Sequence, residues 1–424
     1  MNVFSIITIL IVIASLFSYI NVRFLKLPNV IGLMIISLVI SVAILILHFI
    51  NEDLFQSAKA LVMSINFTAV VFNVMLSFLL FAGALHVDGT LLKTQSRSVT
   101  VFSFFSVIFS TFFIGTVLYF LMQLLHTPVE YLYCLLFGSI ISPTDPIAVL
   151  SILTKANIPK KTEINIVGES LFNDGIAIVI FITLLEMIRF GIDQIHFTDV
   201  IILFLREAVG GILFGFLLGF LLYWMLKTIN HYETEVMLTL AFVMGGYSLA
   251  NYLHTSGPLA MVVAGLVTGN YAKEGAMSHI SRLYLDKFWE IIDVLMNAVL
   301  FVLIGLHLII LEFNMQYIYA SLILLPVVLF SRYISIRIPA VLGNRFLKTD
   351  RKTQILLFWG GLRGGLSIAM VLSISNSLPV KDLFVFVTYV VVVFSIFVQG
   401  LTVGPLAKRL YRDKKEVVAE NATV

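Results

Sequence analysis

Within Gly168-Glu169-Ser170-Leu171-Phe172-Asn173-Asp174-Gly175, one carboxylate, Asp174, stands next to a carboxamide, Asn173, and four residues after a hydroxyl, Ser170. Residues four apart share a helix face, so Ser170 and Asp174 point the same way. Carboxylate, amide and hydroxyl oxygens are hard donors that suit Na⁺ or Li⁺, and the sequence holds no cluster of soft ligands for a transition metal. A single carboxylate takes either a cation or a proton, and competition between the two for one site is the simplest exchange chemistry it offers. Asn173 does not titrate, so it ligates or orients without adding charge. Glu169 needs a partner. Arg332 is the deep candidate, and the preferred reading is a structural ion pair that braces the site, against a glutamate lying near the interface.

Two further clusters carry charge in apolar surroundings. Ser142-Pro143-Thr144-Asp145-Pro146 places a carboxylate between two prolines. Two prolines three apart remove two backbone donors and clash with preceding carbonyls, which predicts a helix broken in mid-membrane rather than merely kinked. Asp145 then caps the second half, with Pro146 at its first position. Gly360-Gly361-Leu362-Arg363-Gly364-Gly365 sets four glycines around a cation. Glycines also serve close helix packing, but packing gains nothing from a buried charge, so Arg363 favours an unwound stretch. Broken half-helices that meet at the midplane carry partial charges of both signs, which Asp145 and Arg363 can neutralise. For these two residues that structural task stands beside a role in transport.

The elements that must hold these residues are membrane spans. Of 424 residues, 60% are hydrophobic and only 12% charged, about half the share of soluble domains. So few charges exclude a disordered chain and nearly any soluble enzyme, and a net charge of +3 is too small to attract nucleic acid. The lone Cys134 excludes an internal disulfide framework and a CxxC site. A span takes about 20 apolar residues. Thirteen such stretches are read near 1–20, 30–50, 61–86, 99–123, 131–153, 164–187, 199–226, 235–252, 257–272, 288–311, 317–344, 354–376 and 383–407. Asp174, about ten residues into the sixth, lies about 15 Å deep on helical rise.

Basic residues orient the stack. Alternate connections carry Arg23 and Lys26, Lys93 and Arg97, Lys155, Lys160 and Lys161, Lys227, Lys273, Arg282 and Lys287, then Arg345, Lys348, Arg351 and Lys352. The tail adds Lys408, Arg409, Arg412, Lys414 and Lys415, whereas the opposite connections hold only Lys59, Arg189 and Lys381. The positive-inside rule therefore predicts an outside N-terminus and a cytoplasmic C-terminus. The first stretch has no basic residue ahead of it and no small-x-small site, so it reads as a retained span. Arg206 and Arg337 lie near enough to span ends to snorkel, whereas Arg332 and Arg363 sit deeper. The two broken spans are seven apart, an odd offset that runs them in opposite directions. Paired interruptions of this kind point to an inverted-repeat transporter.

Ser-Pro-Thr-Asp-Pro at 142–146, Gly-Glu-Ser-Leu-Phe-Asn-Asp-Gly at 168–175, Gly-Gly-Leu-Arg-Gly-Gly at 360–365 and the stretch from Phe288-Trp289-Glu290 to Gly305 resemble the cation:proton antiporter family of prokaryotic NhaP-type and eukaryotic sodium/proton exchangers. The likeness spans most of the chain, in the same order. It implies an all-α fold of 13 helices with two crossing broken helices. A dimerisation part would take spans 1–3 (residues 1–98) and 8–10 (231–316), and a core spans 4–6 (99–198) and 11–13 (317–408). Span seven (199–230) would link them, ahead of a short cytoplasmic tail (409–424). It implies a homodimer in the inner membrane, an elevator-like core, and Na⁺ (or Li⁺ or K⁺) exchanged for H⁺ without a cofactor.

By the same resemblance Asp174 is the ion-binding and proton-carrying aspartate, with Ser170, Thr144 and Asp145 around the ion. Asn173 matches the asparagine of exchangers regarded as electroneutral. Glu169 and Arg332 match a bracing ion pair, and Pro143, Pro146, Gly361, Arg363 and Gly364 form the crossing. One departure stands out. Many prokaryotic members place a glutamate on the third span, where Phe81-Ala82-Gly83 here offers Ala82.

Rival classes lack their residues. An intramembrane aspartyl protease needs a GxGD-like second aspartate and a metalloprotease HExxH, and His231-Tyr232-Glu233 lacks the second histidine. Nothing resembles a carbonyl filter or a charged ring. A carrier of another small ion or metabolite on the same scaffold is the alternative, and the Asn173–Asp174 pair speaks against it. Of eight histidines, His86, His126, His196, His231 and His279 fall at span ends or loops, while His48, His254 and His307 are candidates for pH sensing. Glu290 and Asp293, early in the tenth span, suit either an entry funnel or packing.

Overall fold

A computed structural model of the protein describes residues 3–48, 50–153, 156, 158–190, 197–347, 349–375, 378 and 380–411. Lys155, His196, Lys348, Arg412, Lys414 and Lys415 lie outside the described residues, as does the side chain of Pro146. All regular structure among the described residues is helical, the form that satisfies its own backbone where no water is available. Nine helices among them are long and apolar enough to cross a bilayer: Ser5–Leu25, Asn29–Leu47, Phe67–Leu85, Gly89–Leu124, Lys160–Phe190, Thr198–Lys227, His279–Ile310, Met315–Leu342 and Lys381–Tyr411. The other apolar stretches fold as shorter or less apolar elements. These are Tyr131–Ile141 followed by Pro146–Leu153, Tyr232–Tyr252, Gly257–Val267 prolonged by the π-helical turn Thr268–Ala272, and Arg351–Trp359 followed by Gly365–Ser373.

Two differences from the apolar pattern have local causes. The helix Gly89–Leu124 begins ten residues before the apolar run, because Asp88 caps it: the Leu91 N–H donates to Asp88 Oδ1 at 3.0 Å. Its 36 residues reach about 54 Å, well beyond the hydrocarbon. An additional helix, Glu52–Met63, joins the second and third spans. It is amphipathic, with Glu52 and Asp53 in its first turn and Phe55 and Val62 turned inward. Its charged residues interrupt the hydropathy, so a search for continuous apolar runs passes over it.

Packing separates a peripheral helix from central ones. Only 17% of the apolar window of Thr198–Lys227 is buried, against 72% for Lys381–Tyr411. Leu213, Leu217 and Trp224 project outward from the former, as lipid-facing side chains do. Next to the first broken helix the backbones nearly touch. A Cβ on Gly138 would stand 2.2 Å from the Thr111 carbonyl oxygen, so only glycine lets Tyr131–Ile141 lie this close to Gly89–Leu124.

This contact yields a test. Gly138→Leu should destabilise the protein by about 1–3 kcal/mol through overpacking. Gly245→Ala, where an added Cβ meets nothing within 4 Å, should be neutral or slightly stabilising. Thermal unfolding of the purified variants in detergent compares the two; equal stabilities would contradict the close approach at Gly138.

Candidate ion-binding site

Both interrupted helices unwind where the sequence suggests. Tyr131–Ile141 stops, residues 142–145 run without helix, and a new helix starts at Pro146. Arg351–Trp359 stops, residues 360–364 are unwound, and Gly365–Ser373 follows. The two unwound segments satisfy each other. The Asp145 N–H donates to the Leu362 carbonyl at 2.7 Å. Arg363 Nη1 donates to the Ser142 carbonyl at 2.5 Å and the Pro143 carbonyl at 2.9 Å, so the cation meets the negative end of the first half-helix.

Asp145 takes the opposite post. It directly precedes the half-helix Pro146–Leu153, and its carboxylate lies over Gly364, just before the half-helix Gly365–Ser373. A Cβ on Gly364 would stand 2.5 Å from Asp145 Oδ2, which leaves no room for a side chain there. A negative charge beside two helix N-termini is favourably placed.

Asp174 and its neighbours come from the helix Lys160–Phe190, which passes the first unwound segment. Asn173 ties the two together: its Oδ1 accepts from the Thr144 N–H at 3.2 Å, and its Nδ2 donates to Thr144 Oγ1 at 2.8 Å. Thr144 Oγ1 and Ser170 Oγ share a hydrogen bond of 2.8 Å. The same Nδ2 also reaches Glu169 Oε1 at 3.1 Å.

Glu169 and Arg332, both buried, form a two-pronged pair, Nη1 to Oε1 and Nη2 to Oε2, each 2.7 Å. Ser106 donates to the same carboxylate at 3.1 Å, and Arg332 Nη2 also donates to the Leu357 carbonyl at 3.0 Å. Gly361 makes room for the guanidinium, since a Cβ there would stand 2.5 Å from Arg332 Nε. The pair thus joins the fourth, sixth, eleventh and twelfth spans.

Asp174 itself is left available. Its residue is 8% exposed, and it accepts no hydrogen bond from the described residues. It lines a cavity of about 60 Å³ together with Thr144, Asp145, Asn297 and Ser367. The third span contributes only apolar and glycine positions to that wall, among them Leu79, Leu80 and Gly83. Ala82 is fully buried and does not line it.

Several contributors escaped the sequence reading. Ser395 Oγ accepts from the Arg363 N–H at 2.9 Å and donates to Gln399 Oε1, while Gln399 Nε2 donates to the Trp359 carbonyl at 3.2 Å. Together they support the second unwound segment from a π-helical turn, Ser395–Gln399, in the last span. Asn297 and Ser367 are buried, and each has a side-chain oxygen without a partner among the described residues. The available signal was a polar residue isolated in an apolar run, the criterion already applied to Asp174. The two remaining intramembrane arginines lie at the surface. Arg337 donates to Gln354 at 3.0 Å and Arg206 to the Leu253 carbonyl at 3.2 Å.

The bracing pair can be tested by stability. Glu169→Ala leaves Arg332 buried without its partner and should cost about 3–5 kcal/mol, as should Arg332→Ala. The double variant should lose far less than the sum in thermal unfolding. Strictly additive losses would show that the two charges do not depend on each other.

The sequence profile described as "Sodium/hydrogen exchanger, transmembrane" matches residues 11–409. The chain is 42% identical over 417 residues to the Na⁺/H⁺ antiporter NhaP of Pseudomonas aeruginosa, covering 97% of this chain and 98% of that protein. It is 34% identical over 395 residues to the Na⁺/H⁺ antiporter NhaH of Halobacillus aidingensis, covering 92% and 93%. Among solved structures, the sodium proton antiporter MjNhaP1 of Methanocaldococcus jannaschii superposes with a TM-score of 0.76 at 21% identity, over 97% of this chain and 99% of that one, so the fold is shared. With its motifs, its crossed helix breaks and these relatives in agreement, the chain belongs to the transmembrane sodium/hydrogen exchanger family.

Proposed function

We propose that the protein is a secondary antiporter that exchanges Na⁺ for H⁺, one for one, by letting the two ions compete for Asp174. The observation that carries this reading is a buried carboxylate that faces a small cavity with no hydrogen-bond donor of its own, beside interlocked oxygens of Thr144 and Ser170. The names of the relatives support it, since they are Na⁺/H⁺ antiporters. In this reading Asp174, Ser170, Thr144 and Asp145 surround the cation, and Asn173 orients Thr144. Li⁺ and K⁺ are the competing cargoes. No cofactor enters the scheme.

Charge balance follows from the same residues. Glu169 is in direct contact with Arg332, and Arg363, held by the Ser142 and Pro143 carbonyls, supplies a second positive charge to set against the two aspartates, Asp145 and Asp174. Asn173 is neutral, so Asp174 carries the remaining charge. Either Na⁺ or H⁺ neutralises it, and both loaded states then cross the membrane with the same net charge.

Movement is proposed to be elevator-like, because hydrogen bonds weld the core spans to one another. Ser98 donates to the Leu347 carbonyl at 2.9 Å, Ser331 to Ser110 at 3.2 Å, and Thr162 meets Thr353 at 2.9 Å. The scaffold spans are tied among themselves as well, by Ser41 to the Gly305 carbonyl at 2.8 Å and Trp289 to Thr239 at 3.1 Å. Around the cavity the two bodies meet largely through apolar side chains such as Leu76, Leu79 and Leu300, a surface that can slide without breaking ion pairs. The working unit in this reading is a homodimer of 13-span subunits in the inner membrane, N-terminus out and C-terminus in, with lipid as its other partner.

Two measurements test the reading. In proteoliposomes, Asp174→Asn should reduce Na⁺-driven proton flux to the level of protein-free vesicles; retained flux would remove Asp174 from the mechanism. With the wild-type protein, an imposed membrane potential should leave the exchange rate unchanged, and a rate that follows the potential would exclude electroneutral exchange. Comparing Li⁺, Na⁺ and K⁺ in the same vesicles ranks the cargoes.

A further inference from the structure

We propose that Asn297 positions the transported cation from the scaffold side of the cavity and contributes to selection among alkali cations, an inference that rests on Asp174 being the ion site. Asn297 lies on the helix His279–Leu306, outside the body that carries Asp174, and it is only 4% exposed. Both of its amide donors are spent on one residue: Nδ2 donates to the Asp293 carbonyl at 2.8 Å and to Asp293 Oδ1 at 3.1 Å. A flipped amide would turn its oxygen against those two acceptors, so the orientation is held. Asn297 Oδ1 is thereby left buried, without a donor among the described residues, on a residue that lines the cavity shared by Asp174, Thr144 and Asp145. Ser367 Oγ is in the same condition in the same wall.

A buried acceptor without a partner is unfavourable, and this one is repaid when a cation, or a water of its shell, occupies the cavity. A cavity of about 60 Å³ has room for a cation with a few waters, so oxygens of the wall can replace part of its shell. The number and reach of the wall oxygens therefore decide which partly dehydrated ion fits best. Asp293, one helical turn earlier and within electrostatic range of Asp145, holds the amide in place. It acts through Asn297 as a positioning residue.

The test compares wild type with Asn297→Ala, Asn297→Gln and Asp293→Ala in proteoliposomes, with Asp174→Asn as reference. Asn297→Ala should raise KM for Na⁺ about threefold to tenfold, more than it lowers kcat, and shift the Li⁺ to Na⁺ ratio of kcat/KM more than twofold. Asn297→Gln, which keeps an acceptor, should recover part of the loss, and Asp293→Ala should move the same quantities in the same direction. In detergent, the rise in Tm produced by added Na⁺ should shrink in Asn297→Ala. If Asn297→Ala does not fold, Asn297→Gln and Asp293→Ala are read by the same criteria. KM and the Li⁺ to Na⁺ ratio within twofold of wild type, while Asp174→Asn is inactive, overturn the inference and leave the exchange mechanism standing. Absence of cation-driven proton flux in wild type, or its persistence in Asp174→Asn, overturns both.

Discussion

An unwound backbone in hydrocarbon has no water to bond to, and the rest of this structure depends on how that constraint is met. Each broken helix supplies what the other lacks. The Asp145 N–H reaches the Leu362 carbonyl, and Arg363 returns to the Ser142 and Pro143 carbonyls. The charges of Asp145 and Arg363 then sit where half-helix ends of opposite polarity need them. Removing the Arg363 side chain would leave the Ser142 and Pro143 carbonyls without this donor where no water of a bilayer core can replace it.

From that crossing a polar chain runs outward without interruption. Thr144 is held by Asn173, Asn173 touches Glu169, Glu169 is clasped by Arg332, and Arg332 reaches the Leu357 carbonyl beside the second break. The circuit begins at one interrupted helix and closes on the other. The carboxylate of Glu169 is fully engaged in it, whereas that of Asp174 accepts no hydrogen bond from the described residues.

The third and tenth spans meet these polar spans with a different surface. Leu79, Leu80 and Gly83 of the third span and Leu300 of the tenth present no charge to the cavity, and Ala82 stays behind the wall. Asn297 interrupts that apolar face, its amide fixed by Asp293 and its oxygen without a partner among the described residues. In the cavity wall the third and tenth spans thus contribute one polar residue, Asn297.

What the sequence by itself determined is much of what is costly in a membrane. Charges at Asp145, Glu169, Asp174, Arg332 and Arg363 are expensive in lipid, so their presence in apolar runs marked the two breaks, the candidate site and the bracing pair before any geometry was known. Apolar runs marked the spans for the same reason. The tertiary structure decided what neutral groups do. Asn297, Ser367, Ser395 and Gln399 cost little in a helix, so their types at those positions are compatible with plain packing. Only distances show that Ser395 and Gln399 support the second break, whereas Asn297 and Ser367, both in the cavity wall, keep oxygens without a partner among the described residues. The amphipathic helix Glu52–Met63 belongs with them, since its apolar side is defined by what it packs against and not by a continuous run of residues. Charge is legible in one dimension because solvation penalises it locally; the pairing of weakly polar atoms is a property of three-dimensional neighbours.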